Sequence, residues 1–448
     1  MASKNVKQEI HVLLVAFSSQ GHMNPMLRLG KYLLTKGLHV TLATTEIARH
    51  RMLKSSTITS TTNSVSGVQL LFFSDGLSLE YGRKANLDYY MECVGKFGSI
   101  SLSNLIKEHY PVNGQKRLSY IVNNPFVPWV VDVAIEHGVP CALLWIQPCS
   151  VHAIYYRFYN KLNPFPTLID PEMSVQLPGL PLLLTEDLPS FVLPSNPFGS
   201  IPKLFSVVFQ NMKKYTRILG NSFYELEKDA INSMSDLCPF LPIGPLVPTS
   251  LFGEEEEEGQ DTGVGMWKAE NSCIEWLNKQ EPSSVIYVSF LIWKPCYTPP
   301  PDGSGQLPTG FLEETKDQGL VLSWSPQTKV LANVALGCFI THCGWNSVLE
   351  TIVAGFPVIA YPQWTDPPTI AKLIVDVFGT GLRLRENKDG VVSEQEIEHC
   401  IREVMDGPRA EQLKSNAMAF KREAAVAVAS GGSSAWNIQL FVDEIIAS

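Results

Sequence analysis

Short runs of apolar residues alternate with amphipathic stretches through the first half of the chain. The apolar runs are continuous rather than alternating with polar residues, which is typical of strands buried on both faces. The stretches between them have helical spacing, so the pattern predicts a parallel sheet covered by helices on both sides. The predicted strands are residues 11–17, 39–44, 68–73, 120–122 and 141–146.

The same alternation returns in the second half of the chain. The first series ends near Gly244 and Pro245, and an acidic run with a glycine-rich tail then predicts a solvated linker at about residues 250–265. A second α/β series follows from Ser284 to about Gly407, and an amphipathic helix closes the chain. The pattern therefore predicts domains at residues 1–245 and 246–430, with a final helical segment at residues 431–448.

Composition narrows the class of protein. A chain of 448 residues exceeds one ordinary core, which favours two domains. A net charge of −9 argues against a nucleic-acid or anionic-membrane partner. The nine cysteines contain no C-x-x-C pair, which indicates reduced thiols, and the apolar run near the N-terminus is too short for a signal peptide or membrane span. We expect a cytoplasmic monomer with small-molecule ligands and no membrane insertion.

Polar residues concentrate in residues 324–367. A predicted strand at residues 338–340 runs into a tight turn, His342 to Gly344, and then into a helix. Strand, turn and helix in this order direct backbone N–H groups and the positive end of the helix dipole at an anion. Asn346 and Ser347 add side-chain donors at the start of that helix. The segment predicts a diphosphate site that lacks the lysine of P-loop proteins.

The remaining polar residues of this segment suit the other parts of a sugar nucleotide. Trp324 offers a flat face for a base, and Gln327 follows closely. Glu350 can accept hydrogen bonds from two ribose hydroxyls, and Asp366, after a predicted strand at residues 357–361, can accept from sugar hydroxyls. Each residue alone is more often structural, but their order and spacing together predict a sugar-nucleotide site.

The segment resembles the signature box of plant UDP-sugar glycosyltransferases, which runs W-x-P-Q, H-C-G-W-N-S-x-x-E and D-Q. The resemblance implies a GT-B fold, with two Rossmann-like domains of parallel sheets facing across a cleft and UDP on the second. UDP-glucose would be a donor substrate, with no metal or other cofactor. By the same resemblance the box residues hold uracil (Trp324), ribose (Gln327, Glu350), diphosphate (His342, Asn346, Ser347) and sugar (Trp345, Asp366), with Ser325 and Gly344 in the same site.

The first predicted strand ends in a loop that carries a candidate catalytic histidine. Asn24 is a good helix N-cap and Pro25 suits the first helical position, which places His22 in the loop before the helix. In the family that the chain resembles, G-H-x-N-P carries the general base. His22 is therefore the candidate base for a hydroxyl acceptor, whose proton must leave as it attacks.

Asn124 stands where relatives have an aspartate that orients this histidine. An amide can orient an imidazole but cannot offset its positive charge, which suits an acceptor that arrives ionised, such as a carboxylate. Residues 123–134 and 186–195 resemble plant enzymes that form 1-O-glucose esters of indole-3-acetate and of cinnamate-type or benzoate-type acids. The candidate acceptor residues are Trp145, Gln147, Tyr155 and Phe191, for which an ordinary aromatic core is an equal alternative.

The sequence thus predicts inverting transfer of glucose from UDP-glucose to a small carboxylic acid, auxin-like or phenolic, giving a 1-O-β-glucose ester. Two alternatives stay open. One is an O-glucosyltransferase for phenolic or flavonoid hydroxyls. The other is an inactive UDP-sugar binder produced by a splice variant or a gene-model error.

Three departures from the family pattern stand out. Asn333 replaces a common histidine, and Pro367 replaces a sugar-reading glutamine or histidine. After a predicted strand at residues 285–290, the chain passes directly to another apolar run at Leu291. Parallel neighbours need a crossover of roughly ten residues or more. We therefore expect that one βαβ unit is deleted near Phe290, which would leave the chain marginally stable and with little or no transferase activity.

Overall fold

The computed structural model describes residues 9–59, 61, 63–83, 86–111, 114–253, 263–265, 270–289 and 307–448. The predicted acidic run at residues 254–258 and the predicted deletion next to Phe290 lie outside the described residues.

Strands and helices alternate along the described chain. The strands are β1 (Glu9–Val15), β2 (His39–Thr45), β3 (Ser64–Val65), β4 (Val68–Phe73), β5 (Lys116–Asn123), β6 (Cys141–Trp145), β7 (Arg217–Gly220), β8 (Phe240–Pro242), β9 (Val285–Ser289), β10 (Leu336–Thr341), β11 (Val358–Ala360) and β12 (Gly381–Arg383). The helices are α1 (Gln20–Thr35), α2 (Glu46–Lys54), α3 (Leu87–His109), α4 (Val130–Glu136), α5 (Cys149–Tyr159), α6 (Ser200–Gln210), α7 (Tyr224–Asn232), α8 (Ser272–Leu277), α9 (Phe311–Thr315), α10 (Gln327–Leu331), α11 (Trp345–Ala354), α12 (Pro367–Lys372), α13 (Glu394–Met405), α14 (Ala410–Val428) and α15 (Ser433–Ala447).

The first sheet contains eight strands in the order β3-β4-β2-β1-β5-β6-β7-β8. All neighbours are parallel except β3 and β4, which form a short antiparallel pair. Along β1, Leu13 and Val15 enter one apolar core while Val12 and Leu14 enter the core on the opposite face. Burial on both faces explains why the sequence shows continuous apolar runs, and the five strands predicted in this half are all confirmed.

The second sheet contains four parallel strands among the described residues, in the order β12-β11-β10-β9. Every residue of β10 is buried, whereas β9 is partly exposed and 49% of the surface of Val288 is accessible to solvent. Within the described chain, β9 pairs only with β10. The two sheets with their covering helices confirm the predicted pair of α/β units.

The last helix of the chain returns to the first sheet. Phe441 and Ile445 of α15 are buried in the same core as residues of β1 and β2. The Glu444 carboxylate accepts from Arg217 at 2.6 Å and from Tyr120 at 2.8 Å. The residue boundaries of the domains stay a prediction.

The sequence also predicts reduced thiols and no membrane span. The eight cysteines in the described residues are free and buried. No helix of the described chain is both long and apolar enough to cross a membrane.

Candidate functional site

The predicted diphosphate site lies where β10 leads into α11. The N-cap residue of α11 is Gly344, and no side chain caps the helix. The first backbone N–H groups of a helix have no partner within it, so those of Trp345, Asn346 and Ser347 point out of its N-terminus. Together with the helix dipole they form an anion-binding end on a helix of ten residues.

The turn before α11 requires unusual backbone. Cys343 has a φ of +67° and is buried, and its N–H donates to the Thr341 hydroxyl at 3.3 Å. A Cβ at Gly344 would lie 2.6 Å from Nε2 of His342. Glycine therefore lets the imidazole lie against the start of the helix, where the diphosphate is expected.

Two side chains of this turn point in different directions. Burial lowers the pKa of His342, and its Nδ1 has no hydrogen-bond partner. The Trp345 indole, by contrast, is 3% exposed and donates to the carbonyl of Asn221 at 2.7 Å. This corrects the expectation that Trp345 faces the sugar, because its side chain packs in the core under α11.

The predicted ribose residues form one connected group. Nε2 of Gln327, at the first position of α10, donates to Glu350 Oε2 at 2.8 Å and to the Ser347 hydroxyl at 3.0 Å. The Ser325 hydroxyl lies 2.8 Å from the Tyr287 hydroxyl. Trp324, just before this group, is partly exposed. The structure thus brings the predicted ribose residues Gln327 and Glu350 together with Ser347, a predicted diphosphate residue.

Arg28 is a member of this group that sequence reasoning missed. Its Nη2 lies 3.1 Å from Glu350 Oε1, and its Nη1 donates to the carbonyl of Leu246 at 2.9 Å. Both members of the ion pair are about 7% exposed at their side chains. A lone arginine in the apolar run 26–29 was the available signal, because a buried cation needs a partner.

The candidate base lies in a helix rather than in a loop. Helix α1 begins at Gln20 with Ser19 as its N-cap, so His22 occupies the first turn. Asn24 is therefore not the N-cap, and its Oδ1 accepts from the N–H of Val264 at 2.9 Å instead. Proline is favoured at the first helical position, but Pro25 lies inside α1, so the predicted start of the helix is too late.

Pro25 makes possible a hydrogen bond between the two halves of the site. Proline has no N–H, so the carbonyl of Gly21, four residues earlier, has no donor from Pro25 within the helix. That carbonyl instead accepts from Nδ2 of Asn346 at 2.7 Å. The proline thus leaves an acceptor open next to His22, and a predicted diphosphate residue occupies it.

Aromatic rings surround the His22 imidazole. The ring centroids of Phe126 and Phe17 lie 4.4 and 5.5 Å from that of His22. Burial lowers the pKa of His22 to about 4. Its Nδ1 is buried and has no hydrogen-bond partner.

Asn124 lies close by but does not orient the histidine. Its Oδ1 accepts from the N–H of Phe126 at 3.2 Å, and its Nδ2 is buried without a partner. The amide therefore closes a turn after β5 rather than bonding to His22. This corrects the expectation of an orienting contact between the two side chains.

A second bond between the halves joins a predicted sugar residue to a predicted acceptor residue. Nε2 of Gln147 donates to Asp366 Oδ1 at 2.7 Å, and the Thr365 hydroxyl donates to the same oxygen at 2.8 Å. Burial raises the pKa of Asp366 above its ordinary value despite these hydrogen bonds. Asp366 is the N-cap residue of α12 and Pro367 is its first residue, but the carboxylate makes no capping bond.

The three aromatic candidates for the acceptor site lie in the core. Trp145 is fully buried and donates to the carbonyl of Pro148 at 2.9 Å, which makes it a core residue. Tyr155 and Phe191 are also buried and pack against Phe205. Only Tyr155 keeps an unpartnered polar atom, its hydroxyl, which is close enough to Asp366 for the carboxylate charge to contribute to the raised pKa of Tyr155.

Comparisons with known proteins show what the chain is similar to. The family model described as UDP-glucoronosyl and UDP-glucosyl transferase matches residues 304–423. UDP-glycosyltransferase 84B1 of Arabidopsis thaliana is 43% identical, with 98% of each chain covered. Gallate 1-beta-glucosyltransferase 84A24 of Punica granatum is 39% identical, over 97% of this chain and 89% of the relative. The first alignment runs over 468 positions, so the Arabidopsis protein contains residues that these 448 lack.

A solved structure has the same architecture. Os79 from O. sativa, in complex with UDP, is similar with a TM-score of 0.84 and 29% sequence identity. The similarity covers 97% of this chain and 100% of the rice protein.

Proposed function

Because the chain belongs to the family of UDP-dependent glycosyltransferases and is itself a glycosyltransferase, we propose that it transfers glucose from UDP-glucose to the carboxylate of a small auxin-like or phenolic acid. The product is a 1-O-β-glucose ester. No metal takes part in the proposed reaction.

The observation that carries the acceptor class is the surroundings of His22. Burial lowers the pKa of its imidazole to about 4. The neighbouring position that would supply a carboxylate is occupied by the amide of Asn124, which makes no bond to the imidazole. An imidazolium that forms during proton abstraction would therefore have no anion to stabilise it, and His22 is a weak base for a hydroxyl.

A carboxylate acceptor needs no such base. Its pKa is about 4–5, close to the values of unperturbed aspartate and glutamate side chains, so it is ionised at cytosolic pH. One carboxylate oxygen attacks the anomeric carbon of glucose as the bond from that carbon to the UDP oxygen breaks, and UDP leaves with the bonding electrons. Attack from the face opposite UDP inverts the anomeric centre. No proton has to be removed from the acceptor.

Two buried donors without a hydrogen-bond partner, one of them close to His22, suit an anionic acceptor. The Nδ2 group of Asn124 is a buried donor without a partner, and the same residue bonds to Phe126, whose ring packs on His22. The Tyr155 hydroxyl is a second buried donor without a partner. Buried polar groups are normally hydrogen-bonded, so two free donors here favour a ligand with acceptor atoms.

The geometry around α11 supports the donor roles that the family resemblance implies. We assign the uracil to the face of Trp324 and the ribose to Gln327 and Glu350. The diphosphate would lie against His342, Asn346 and Ser347, with the N–H groups at the start of α11. Asp366 would accept from glucose hydroxyls, and Trp345 contributes only its backbone.

A small open cavity lies next to Trp364, and the residues assigned to the acceptor do not line it. Its volume is about 310 Å³, and its lining includes Leu193, Phe198 and Trp364. The relative from Punica granatum, whose name specifies gallate, supports an aromatic acid.

The direct test is to incubate the purified chain with UDP-glucose and each of several acids, including indole-3-acetate, cinnamate and benzoate. We expect a glucose conjugate that mild alkali hydrolyses and whose formation is insensitive to EDTA. His22→Ala should reduce this transfer only modestly, because no proton is removed from a carboxylate acceptor. Alkali-stable glucosides formed from phenols alone would contradict the proposed acceptor class.

A further inference from the structure

A segment of the first half of the chain lies on the sugar-reading end of the second half. This segment, residues 184–192, is named the strap here. Its central carboxylate, Asp187, is 2% exposed and accepts from Arg383 on β12 at 2.8 Å. Lys372 on α12 lies 3.5 Å from the other oxygen of that carboxylate. The Thr369 hydroxyl, also on α12, donates to the Asp187 carbonyl at 2.6 Å.

The strap continues into a reciprocal pair of hydrogen bonds with the loop before α12. The N–H of Ser190 donates to the carbonyl of Thr365 at 2.8 Å. The N–H of Thr365 in turn donates to the Ser190 hydroxyl at 2.9 Å. Both polar backbone groups of Thr365 are therefore held by one serine from the other half of the chain.

Thr365 needs this support because its backbone is strained. Its φ is +81°, in the left-handed region that a β-branched residue rarely adopts. Such a conformation persists only where the surrounding structure holds it. The two Ser190 bonds, with the ionic contacts of Asp187 behind them, supply that restraint.

The strained residue immediately precedes Asp366, to which the donor sugar is assigned. The Thr365 hydroxyl donates to Asp366 Oδ1 at 2.8 Å, and Gln147 donates to the same oxygen at 2.7 Å. If Thr365 relaxed to a negative φ, the chain would leave the turn in another direction. The Asp366 carboxylate would then move away from Gln147 and from the reacting centre.

We propose that Ser190 is a positioning residue for the donor sugar: its two hydrogen bonds hold Thr365 in the left-handed conformation and thereby direct Asp366 at glucose. This inference rests on the proposed function, because it assumes that Asp366 reads the sugar of UDP-glucose. The strap acts on glucose and not on UDP, since within the described chain the hydrogen bonds and ion pairs of Ser190 and Asp187 reach no residue assigned to the nucleotide. Recognition of the sugar is then completed by a residue of the acceptor half.

The experiment measures the dissociation constants of UDP and UDP-glucose by calorimetry on the full chain, without acceptor. We expect Ser190→Ala to raise the dissociation constant of UDP-glucose about five- to tenfold, which corresponds to the loss of roughly one neutral hydrogen bond. The dissociation constant of UDP should stay within about twofold of the parent value. Ser190→Thr, which keeps the hydroxyl, should behave as the parent. Ser99→Ala, whose hydroxyl bonds only to Lys96 of its own helix α3, is the matched control.

A second variant separates positioning from a general loss of structure. Glycine adopts a positive φ without strain, so in Thr365→Gly the conformation no longer depends on Ser190. Ser190→Ala should therefore cost less than about twofold in UDP-glucose affinity when it is added to Thr365→Gly. An undiminished effect in that background, an equal loss of UDP and UDP-glucose, or no loss in Ser190→Ala would overturn the inference. Because only donor binding is measured, failure of acid transfer in turnover assays would contradict the proposed function separately.

Discussion

At the scale of single residues, the acceptor class depends on which group faces the candidate base. The sequence located His22 and Asn124 by their motifs, and both lie at the carboxyl ends of neighbouring strands, β1 and β5. Their lack of mutual contact could not be predicted, because Asn124 prefers the local bond to the N–H of Phe126. The sequence shows which residue type stands at a position, whereas the hydrogen bond that its side chain makes depends on which partners compete for it.

A carboxylate in place of the Asn124 amide should change the preferred acceptor. In Asn124→Asp the carboxylate can stabilise an imidazolium at His22, so transfer to a phenol should rise at least about tenfold, within the usual range for general base catalysis. Transfer to an acid should fall, because the new charge repels the incoming carboxylate.

Kinetics with one acid and one phenol provide the measurement. Asn160→Asp, at the exposed end of α5, adds the same charge as a control. Parallel changes in both acceptors would show that Asn124 does not set the acceptor class.

At the scale of elements, two helices from different halves of the chain form the reacting centre. Helix α1 carries His22, Arg28 and the carbonyl of Gly21, and α11 carries Asn346 and Glu350 one turn apart. The sequence predicted both helices and their strands, because apolar periodicity is strong in each. It did not predict the bonds between them, because Arg28 and Glu350 are 322 residues apart in the chain.

The buried ion pair between these helices should contribute strongly to stability. Arg28→Met leaves the Glu350 carboxylate buried without its cation, so the free energy of unfolding should fall by roughly 3–5 kcal/mol. Glu350→Leu should cost a similar amount, and the double variant should cost much less than the sum.

Denaturant unfolding of the parent, both single variants and the double variant measures this coupling. Additive losses would mean that the two side chains stabilise the protein independently.

At the scale of the whole molecule, the predicted pair of parallel-sheet units is confirmed, and hydrogen bonds join them at both ends of the site. The fold could be predicted because two series of buried strands alternate with helices. The strap could not be predicted, because its hydrogen bonds depend on irregular backbone conformations, such as the positive φ of Thr365. The strand β9 is partly exposed, with Val288 open to solvent, and the deletion next to Phe290 stays a prediction.

Lengthening the second unit should therefore stabilise the protein. Insertion of a glycine-serine turn and a crossover helix between Phe290 and Leu291 should cover apolar surface of the sheet, raise Tm by at least about 5 °C and increase turnover. An insertion of equal length made of glycine and serine alone is the control. An unchanged Tm, with turnover already high in the parent chain, would show that the second unit is complete without the insertion.

The most direct test of the central claim is the pH dependence of kcat/KM for a matched acid and phenol, benzoate and phenol, between about pH 6 and pH 8. The pKa of His22, lowered to about 4 by burial, leaves the imidazole neutral across this range, and a carboxylic acid with a pKa of about 4–5 is already ionised. Transfer to benzoate should therefore vary by less than about twofold, whereas transfer to phenol, with a pKa of about 10, should rise about tenfold per pH unit as its anion accumulates. A benzoate rate that climbs through an apparent pKa of about 6.5, the ordinary value for histidine, would show that a titrating base is required, and would contradict the account.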